Sequence, residues 1–347
     1  KAASDSINKT SADKRMQIIK FDNERILKNT ELKAKKDEIK REKTKNLYLL
    51  IISTLIGIFS FIFYRNYRKT KKQKLIIEAQ HEELNESHEE LAEIHKEISD
   101  SIDYAKKIQD ALLTSYSYMD KVLPHSFIFY KPKDVVSGDF YWAYDNGNGK
   151  LFFTVADCTG HGVPGAMVSM IGNALLNENI IDKKIYDPAI ILGNMRDKVS
   201  ELLNEEGIDN ESRDGMHMAL CCLNKKDMTL EYAGAFNPLI HITNGVLNEY
   251  KADSQPVALY TGDVREFTKH TIQLNEGDLL YLYSDGFQDQ FGGERNKKYM
   301  AKRFKQFLLG ISNNEIINQH ELVKDEFVNW IGNEEQVDDV CIMGIKL

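Results

Sequence analysis

The sequence has few cysteines and no net positive charge, and each of these features excludes a class of protein. Four cysteines in 347 residues are too few for a disulfide scaffold. Lysine and arginine number 45 against 53 aspartates and glutamates, so the formal charge of −8 argues against a nucleic-acid partner. Hydrophobic residues make up 42% of the chain, which excludes a mostly disordered protein. At about 150 residues per domain, the length favours two domains or one large domain with appendages.

One segment, residues 47–64, is far more apolar than the rest and contains no charged side chain. A helix of this length extends about 27 Å, close to a hydrocarbon core of about 30 Å. We therefore predict a single transmembrane helix at 47–64 rather than a buried core helix, because dense lysine flanks it on both sides. Residues 32–46 hold seven lysines and arginines and residues 65–79 hold six, so the positive-inside rule does not orient the span.

Residues 65–122 contain neither proline nor glycine and carry a seven-residue repeat. The repeat predicts a coiled-coil linker helix and, through it, a homodimer. A second stripe that includes His81, His88 and His95 is more polar. We interpret it as a seam that keeps the coil weak rather than as a pH or metal sensor. The apolar positions of the main stripe are Ile77, Leu84, Leu91, Ile98, Ala105 and Leu112.

Residues 1–46 are polar and rich in lysine, with scattered apolar positions. This composition predicts a helical stalk and carries no recognisable chemistry. Because position 1 is a lysine, we expect the chain to be a fragment whose first residues end an upstream region.

Residues 123–347 change to short β-branched and aromatic runs separated by turn signals, with helical stretches between some of them. Grouped strands with intervening helices favour an α+β layered domain over a doubly wound parallel sheet. The predicted strands are 127–130, 140–144, 151–156, 216–223, 229–233, 239–243, 271–274, 279–283 and 340–345.

Aspartates recur at the ends of these strands, two of them beside a glycine. Any one of them alone would be an ordinary turn residue. Carboxylate oxygens suit Mg²⁺ and Mn²⁺, and the sequence shows no histidine or cysteine spacing typical of zinc. The combination therefore predicts a two-metal centre of the kind that handles phosphoryl groups. The aspartates are Asp139, Asp157, Asp285 and the adjacent pair Asp338 and Asp339.

Four motifs contain these aspartates: SGDFY at 137–141, VADCTGHGVPGA at 155–166, YSDG at 283–286 and VDD at 337–339. Together they resemble the signature of SpoIIE-type serine/threonine phosphatases, within the metal-dependent PPM (type-2C) family. The resemblance covers about residues 100–347. It implies an αββα sandwich, here preceded by a transmembrane helix and a coiled-coil linker helix, and two Mn²⁺ or Mg²⁺ ions.

The resemblance also implies roles for individual residues. Asp157 would bridge both ions, and Cys158 would offer its backbone carbonyl to one of them. Asp285 and Asp338 would hold the other ion, with Asp339 as a competing assignment for Asp338. Asp139 would bind directly or through water. The expected catalytic residues are Asp157, Asp139 and Asp285.

Two histidines near these motifs have more than one interpretation. His161 is four residues after Asp157, whereas the better-known histidine of the family is two residues after. We favour a role in shaping the turn at Gly160–Gly162 over general-acid catalysis. His217 stands where an acidic residue is expected in relatives, which leaves any additional metal site in doubt.

The leading hypothesis is a serine/threonine phosphoprotein phosphatase of bacterial signal transduction, which uses hydroxide activated by two metal ions. The resemblance implies a regulatory phosphoprotein as substrate, such as an anti-sigma-factor antagonist with a STAS-type domain. We expect a single-pass protein of the cytoplasmic membrane with its phosphatase domain in the cytoplasm. The alternatives are a non-catalytic dimeric signalling scaffold and a two-metal phosphoesterase acting on a small phosphate ester. The expected organisation is stalk 1–46, span 47–64, linker 65–122 and phosphatase domain 123–347.

Overall fold

The computed structural model describes residues 2–203, 214–260 and 262–347, with side chains from residue 13 onward. The chain divides into two compact units, residues 1–93 and Ile94–Leu347. Helix α1 (Ala2–Leu112) belongs to the first unit as far as residue 93, and its remaining turns belong to the second unit.

Helix α1 exposes its apolar side chains along the predicted span. Phe59, for example, is 70% exposed. Within the described residues, α1 is the one helix long and apolar enough to cross a membrane by length and composition, and none of its most apolar 18-residue window is buried. The main heptad stripe is also exposed from Ile77 to Ile98. Exposed apolar surface of this extent is typical of a membrane or partner contact.

The linker helix ends earlier than its proline-free sequence suggests. Helix α1 stops at Leu112, and a short helix α2 (Tyr116–Val122) follows. Ser115 has extended backbone angles, and its hydroxyl accepts a hydrogen bond from the Tyr118 N–H. Serine at this position caps α2 and interrupts the longer helix.

The second unit contains antiparallel strands with helices inserted between them. Its first half comprises β1 (Ser126–Lys131), β2 (Phe140–Asp145), β3 (Lys150–Cys158), α3 (Gly162–Leu176), a π-helical turn (Asn177–Asp182), α4 (Pro188–Leu203), β4 (Met216–Asn224) and β5 (Thr229–Ala235). Its second half comprises β6 (Leu239–Thr243), β7 (Val246–Tyr250), β8 (His270–Gln273), β9 (Leu279–Tyr283), α5 (Gly286–Asp289), β10 (Phe291–Gly292), β11 (Lys297–Lys298), α6 (Ala301–Ile311), α7 (Ile316–Ile331) and β12 (Val340–Lys346).

Two five-stranded sheets pack face to face, with strand orders β1-β12-β9-β6-β7 and β2-β3-β4-β5-β8. Alternating side chains of both sheets, such as Leu282 and Phe153, form the central core. The outer face of the second sheet packs on α3 and α4 through residues such as Leu176. The outer face of the first sheet packs on α6 and α7 through residues such as Phe304. These four layers confirm the predicted αββα sandwich.

The nine predicted strands are all present, but β7 was not predicted. Its sequence, VLNEY, lies at the edge of the first sheet and is mostly half-buried or exposed. An edge strand with one solvent face needs little apolar sequence, so its composition resembles that of a loop. The two-residue strands β10 and β11 are too short to give any periodic signal.

Candidate metal centre

The strand pairing brings the predicted aspartates together. Asp139 precedes Phe140, which lies opposite Ala156 in the β2–β3 pair, so Asp139 and Asp157 lie side by side. In the facing sheet, the Ser284 N–H donates to the Cys341 carbonyl, 2.9 Å away. This bond holds the chain just before Asp285 against the start of β12, where Asp338 and Asp339 lie.

The charges of these carboxylates act on one another across the two sheets. Burial raises the pKa of Asp139 and then the Asp157 charge raises it further. Burial likewise raises the pKa of Asp157, with contributions from Asp285 and Asp338. Burial and then Asp338 raise the pKa of Asp285 to about 6. Burial is also the first cause of the raised pKa of Asp338. Four carboxylates that oppose each other's ionisation form a site suited to cations.

Asp339 differs from its neighbour because both of its oxygens are already engaged. Oδ1 accepts the Lys133 N–H and Oδ2 accepts the Gly138 N–H, each at 2.7 Å. The side chain is buried, at 2% exposure. Asp338 is half-buried, and its Oδ1 accepts the Asp339 N–H at 2.9 Å. Asp339 therefore fixes the loop before Asp139, whereas Asp338 keeps oxygen lone pairs for another partner.

One further observation indicates that these carboxylates fit a divalent cation. Asp139 Oδ2 is enclosed and has no hydrogen-bond partner among the described residues. An enclosed carboxylate oxygen without a donor is costly unless a cation or water satisfies it. Within the same described ranges, no three acidic, histidine or cysteine side chains already converge tightly enough to ligate one ion. The centre is thus an acidic cluster with the ligands of a metal site rather than a closed cage.

Close backbone contacts fix the loops that carry Asp139 and Asp157. A Cβ added at Gly165, in the first turn of α3, would overlap the Gly160 carbonyl oxygen and lie 2.9 Å from Gly138 Cα. A Cβ at Gly138 would overlap the same oxygen. These glycines let two loops and a helix meet backbone to backbone, which any side chain would prevent.

Two histidines flank the cluster. His161 Nδ1 lies 2.6 Å from Asp134 Oδ2, and both side chains are about half exposed. His217 lies opposite Asp157 in the β3–β4 pair, and the centroid of its ring is 4.7 Å from the centroid of the Phe236 ring. Burial lowers the pKa of His217, which favours its neutral form.

A buried glutamine of helix α1 contacts the loop before Asp139. Gln109 Nε2 donates to the Ser137 carbonyl at 2.6 Å, and its Oε1 accepts the Ser137 N–H at 3.1 Å. Nε2 also donates to the Ser169 hydroxyl of α3 at 3.0 Å. The last turn of α1 is therefore bonded to the residue two positions before Asp139.

Sequence reasoning identified the aspartates but missed Asp134 and the role of Gln109. Asp134 stands in the run KPKDVV, where nothing marks it as a partner of a histidine 27 positions away. Gln109 continues the seven-residue spacing of the polar stripe that begins at His81, and its contact with Ser137 depends on tertiary structure.

Comparison with known proteins places the site in a family. The model of the family described as Stage II sporulation protein E (SpoIIE) matches residues 147–347. The solved SiaA-PP2C domain of Pseudomonas aeruginosa is 30% identical, with a TM-score of 0.65, and the match covers 73% of this chain and 98% of that domain. The PP2C phosphatase domain of SpoIIE from Bacillus subtilis, solved with a regulatory fragment, has the same fold at 18% identity and a TM-score of 0.52, over 64% of this chain and 62% of that one.

Two curated relatives are more distant. Phosphoserine phosphatase RsbP of Bacillus subtilis is 24% identical over 190 residues, which cover 54% of this chain and 45% of RsbP. Protein IcfG of Synechocystis sp. is 24% identical over 250 residues, which cover 62% of this chain and 37% of IcfG. The chain spans less than half the length of either relative.

Proposed function

The chain belongs to the SpoIIE family of PP2C-type phosphatases, and from that membership we propose that it is a metal-dependent phosphoserine/phosphothreonine phosphatase in a signalling system. The observation that carries the proposal is the convergence of Asp139, Asp157, Asp285 and Asp338, each with a pKa raised first by burial and then by the charge of at least one neighbouring aspartate. Such a cluster is costly to maintain without cations, and phosphoryl transfer is the chemistry that paired divalent cations serve.

The residues that would hold two Mn²⁺ or Mg²⁺ ions are Asp139, Asp157, Asp285 and Asp338, with the Cys158 backbone carbonyl. We assign Asp338 rather than Asp339 as the ligand, because both Asp339 oxygens already accept backbone N–H groups. When bound, the ions would activate a water molecule and neutralise charge on the phosphoryl oxygens. Mn²⁺ and Mg²⁺ take the same oxygen ligands, so the donor set accommodates both.

The chain's own residues position this chemistry. Asp339 fixes the backbone of the loop that carries Asp139 through two charge-assisted hydrogen bonds. The backbone N–H of Asp285 partly offsets the rise in the pKa of Asp157, so the ends of β9 and β3 meet at the site. A rigid set of acceptors of this kind needs little reorganisation when a phosphate group enters.

The test is phosphate release by the full chain in detergent, with and without Mn²⁺. The substrates are a phosphoserine peptide and p-nitrophenyl phosphate. We expect Mn²⁺-dependent hydrolysis, and loss of at least about 100-fold in Asp157→Asn and Asp285→Asn, because each removes a charge that neutralises the cations. Asp197→Asn is the matched control, since its side chain is 73% exposed on the surface of α4.

Two outcomes would overturn the proposal. Equal activity of the wild type and both site variants on both substrates would leave a non-catalytic scaffold. A preference of orders of magnitude for small phosphate esters such as nucleotides would instead indicate a phosphoesterase.

We further propose that residues 47–64 anchor the protein in the cytoplasmic membrane, with the phosphatase in the cytoplasm, where a regulatory phosphoprotein is available. A STAS-type anti-sigma-factor antagonist is the partner that the resemblance suggests. The exposed apolar side chains of 47–64 support the anchor. Fractionation of cells expressing the full chain tests it: recovery from membranes only after detergent supports the anchor, and recovery in the soluble fraction refutes it.

The linker is proposed to form a parallel homodimer that relays a signal to the site. Support comes from the exposed stripe at Ile77, Leu84, Leu91 and Ile98, and from the bonds of Gln109 to Ser137. Single cysteines placed along 77–98 on a background without the four native cysteines should cross-link every seventh residue. Cross-linking without this period would contradict the coiled coil.

A further inference from the structure

Hydrolysis of a phosphoserine leaves the serine oxygen in need of a proton. The leaving oxygen of an alkyl phosphate is strongly basic, so a positioned acid accelerates its departure by about 10²- to 10⁴-fold. Carboxylates that hold cations are ionised and cannot serve as that acid. If the chain has the proposed function, one of its other residues must supply this proton.

His161 lies in the loop between β3 and α3, which packs backbone to backbone against Gly138, the residue before Asp139. It follows Asp157 by four residues and occupies the N-cap of α3 with extended backbone angles. Gly160 and Gly162 on either side have positive φ values of 83° and 66°, which non-glycine residues rarely adopt. The two glycines thus allow the tight turn that carries His161, which is exposed and whose side chain makes no capping hydrogen bond to α3.

Asp134 fixes the ring of His161. Its Oδ2 lies 2.6 Å from Nδ1, and Asp134 belongs to the same loop as Asp139. A carboxylate at Nδ1 holds a proton on that nitrogen and leaves Nε2 as the atom that exchanges a proton with a substrate. The side chains are 49% and 45% exposed, so a phosphoprotein has access to the ring.

The groups around His161 favour this role over a purely structural one. His161 is paired with Asp134 of the β1–β2 loop, and its charge also acts on Asp338, two residues before β12. Burial raises the pKa of Asp338, whereas the Lys133 and His161 charges lower it, so His161 lies within electrostatic range of the cluster.

We propose that His161 is the general acid of the phosphatase and that Asp134 is its positioning residue. As a water oxygen forms its bond to phosphorus, the bond from phosphorus to the serine oxygen breaks. The serine oxygen takes the proton of Nε2, which yields serine and inorganic phosphate. The neutral imidazole then regains a proton from solvent.

The test compares two leaving groups on the full chain with Mn²⁺. His161→Gln should lose about 10²- to 10³-fold in kcat on a phosphoserine peptide, with KM little changed. On p-nitrophenyl phosphate it should lose at most about threefold, because p-nitrophenolate leaves without a proton. Asp134→Asn should show a smaller loss on the peptide alone.

The matched control is His125→Gln, since His125 is an exposed histidine at the start of β1, outside the cluster. Stability of the variants and their thermal shift with Mn²⁺ should equal those of the wild type. Equal losses on both substrates, or a weaker Mn²⁺ shift, would overturn the proposal and assign the pair to loop structure. Failure of the proposed function looks different, because the wild type would then be inactive on both substrates.

Discussion

The acidic cluster should make the metal-free protein less stable at neutral pH than at acid pH. Burial, followed by the Asp338 and Asp289 charges, raises the pKa of Asp285 from 3.8 to about 6. At 1.36 kcal/mol for each pKa unit, this rise in the pKa of Asp285 corresponds to about 3 kcal/mol. Solvent reaches part of the Asp285 side chain and screens the repulsion, so we expect about 1–2 kcal/mol.

The sign follows from the folded state having the higher pKa. The contribution of Asp285 to stability is complete below about pH 4 and is lost as the pH rises through about 6. Asp285→Asn cannot ionise, so in EDTA at pH 7.5 it should be more stable than the wild type by about 1–2 kcal/mol. With saturating Mn²⁺ the order should reverse, because the wild type gains the free energy of metal binding.

Tryptophan fluorescence during heating measures the difference in stability between Asp285→Asn and the wild type for the second unit, residues 94–347. Both tryptophans of the chain, Trp142 and Trp330, lie in residues 94–347. A gain of 1 kcal/mol should raise the melting temperature by roughly 2–4 °C for a unit of this size. The melting temperature is measured from pH 4.5 to 7.5 in EDTA and in Mn²⁺.

Asp197→Asn is again the control, because it removes one surface charge without touching the cluster. The reasoning is refuted if Asp285→Asn melts below the wild type in EDTA at pH 7.5, or if Asp197→Asn shows the same gain.

Other substitutions test the loops, the ligand assignment and the cysteines. Gly165→Ala forces a Cβ onto a backbone carbonyl oxygen and should cost about 1–3 kcal/mol in urea unfolding, whereas Gly193→Ala in α4 has open space and should be neutral or stabilising. Asp339→Asn should destabilise the fold by about 1.5–3 kcal/mol through its lost charge-assisted bonds, while Asp338→Asn should keep the fold and weaken the Mn²⁺-induced thermal shift. Burial raises the pKa of the Cys222 thiol to about 12, and all four cysteines are buried, so a thiol reagent at pH 8 should react slowly with native protein and titrate four thiols only in denaturant.

Sequence patterns predicted the fold because each layer has its own periodicity. The nine runs with alternating or continuous apolar residues became strands, and the order of strands and helices fixed the α+β class. The pattern failed where packing is one-sided, as in β7, and where a local cap overrides helical composition, as at Ser115.

Sequence patterns identified the carboxylates that the structure brings together, but not their connections, and their role as metal ligands stays a prediction. Asp139, Asp157, Asp285 and Asp338 are recognisable because chemistry demands carboxylates next to strand ends. The distinction between Asp338 and Asp339 could not be read from adjacent identical letters, since it depends on which oxygens backbone N–H groups occupy. The partner of His161 was hidden for the same reason, because a contact across 27 positions leaves no local pattern.

The position of β12 within its sheet has a consequence for synthesis. This strand pairs with β1 on one side and β9 on the other, and its register joins Ser126 to Ile345. A ribosome must therefore release nearly all of residues 126–345 before the first sheet can close, and contacts of such long sequence separation form slowly. Asp338 emerges just before β12, so a nascent chain that lacks this strand holds an incomplete set of carboxylates, and the acidic centre is complete only once the first sheet has closed.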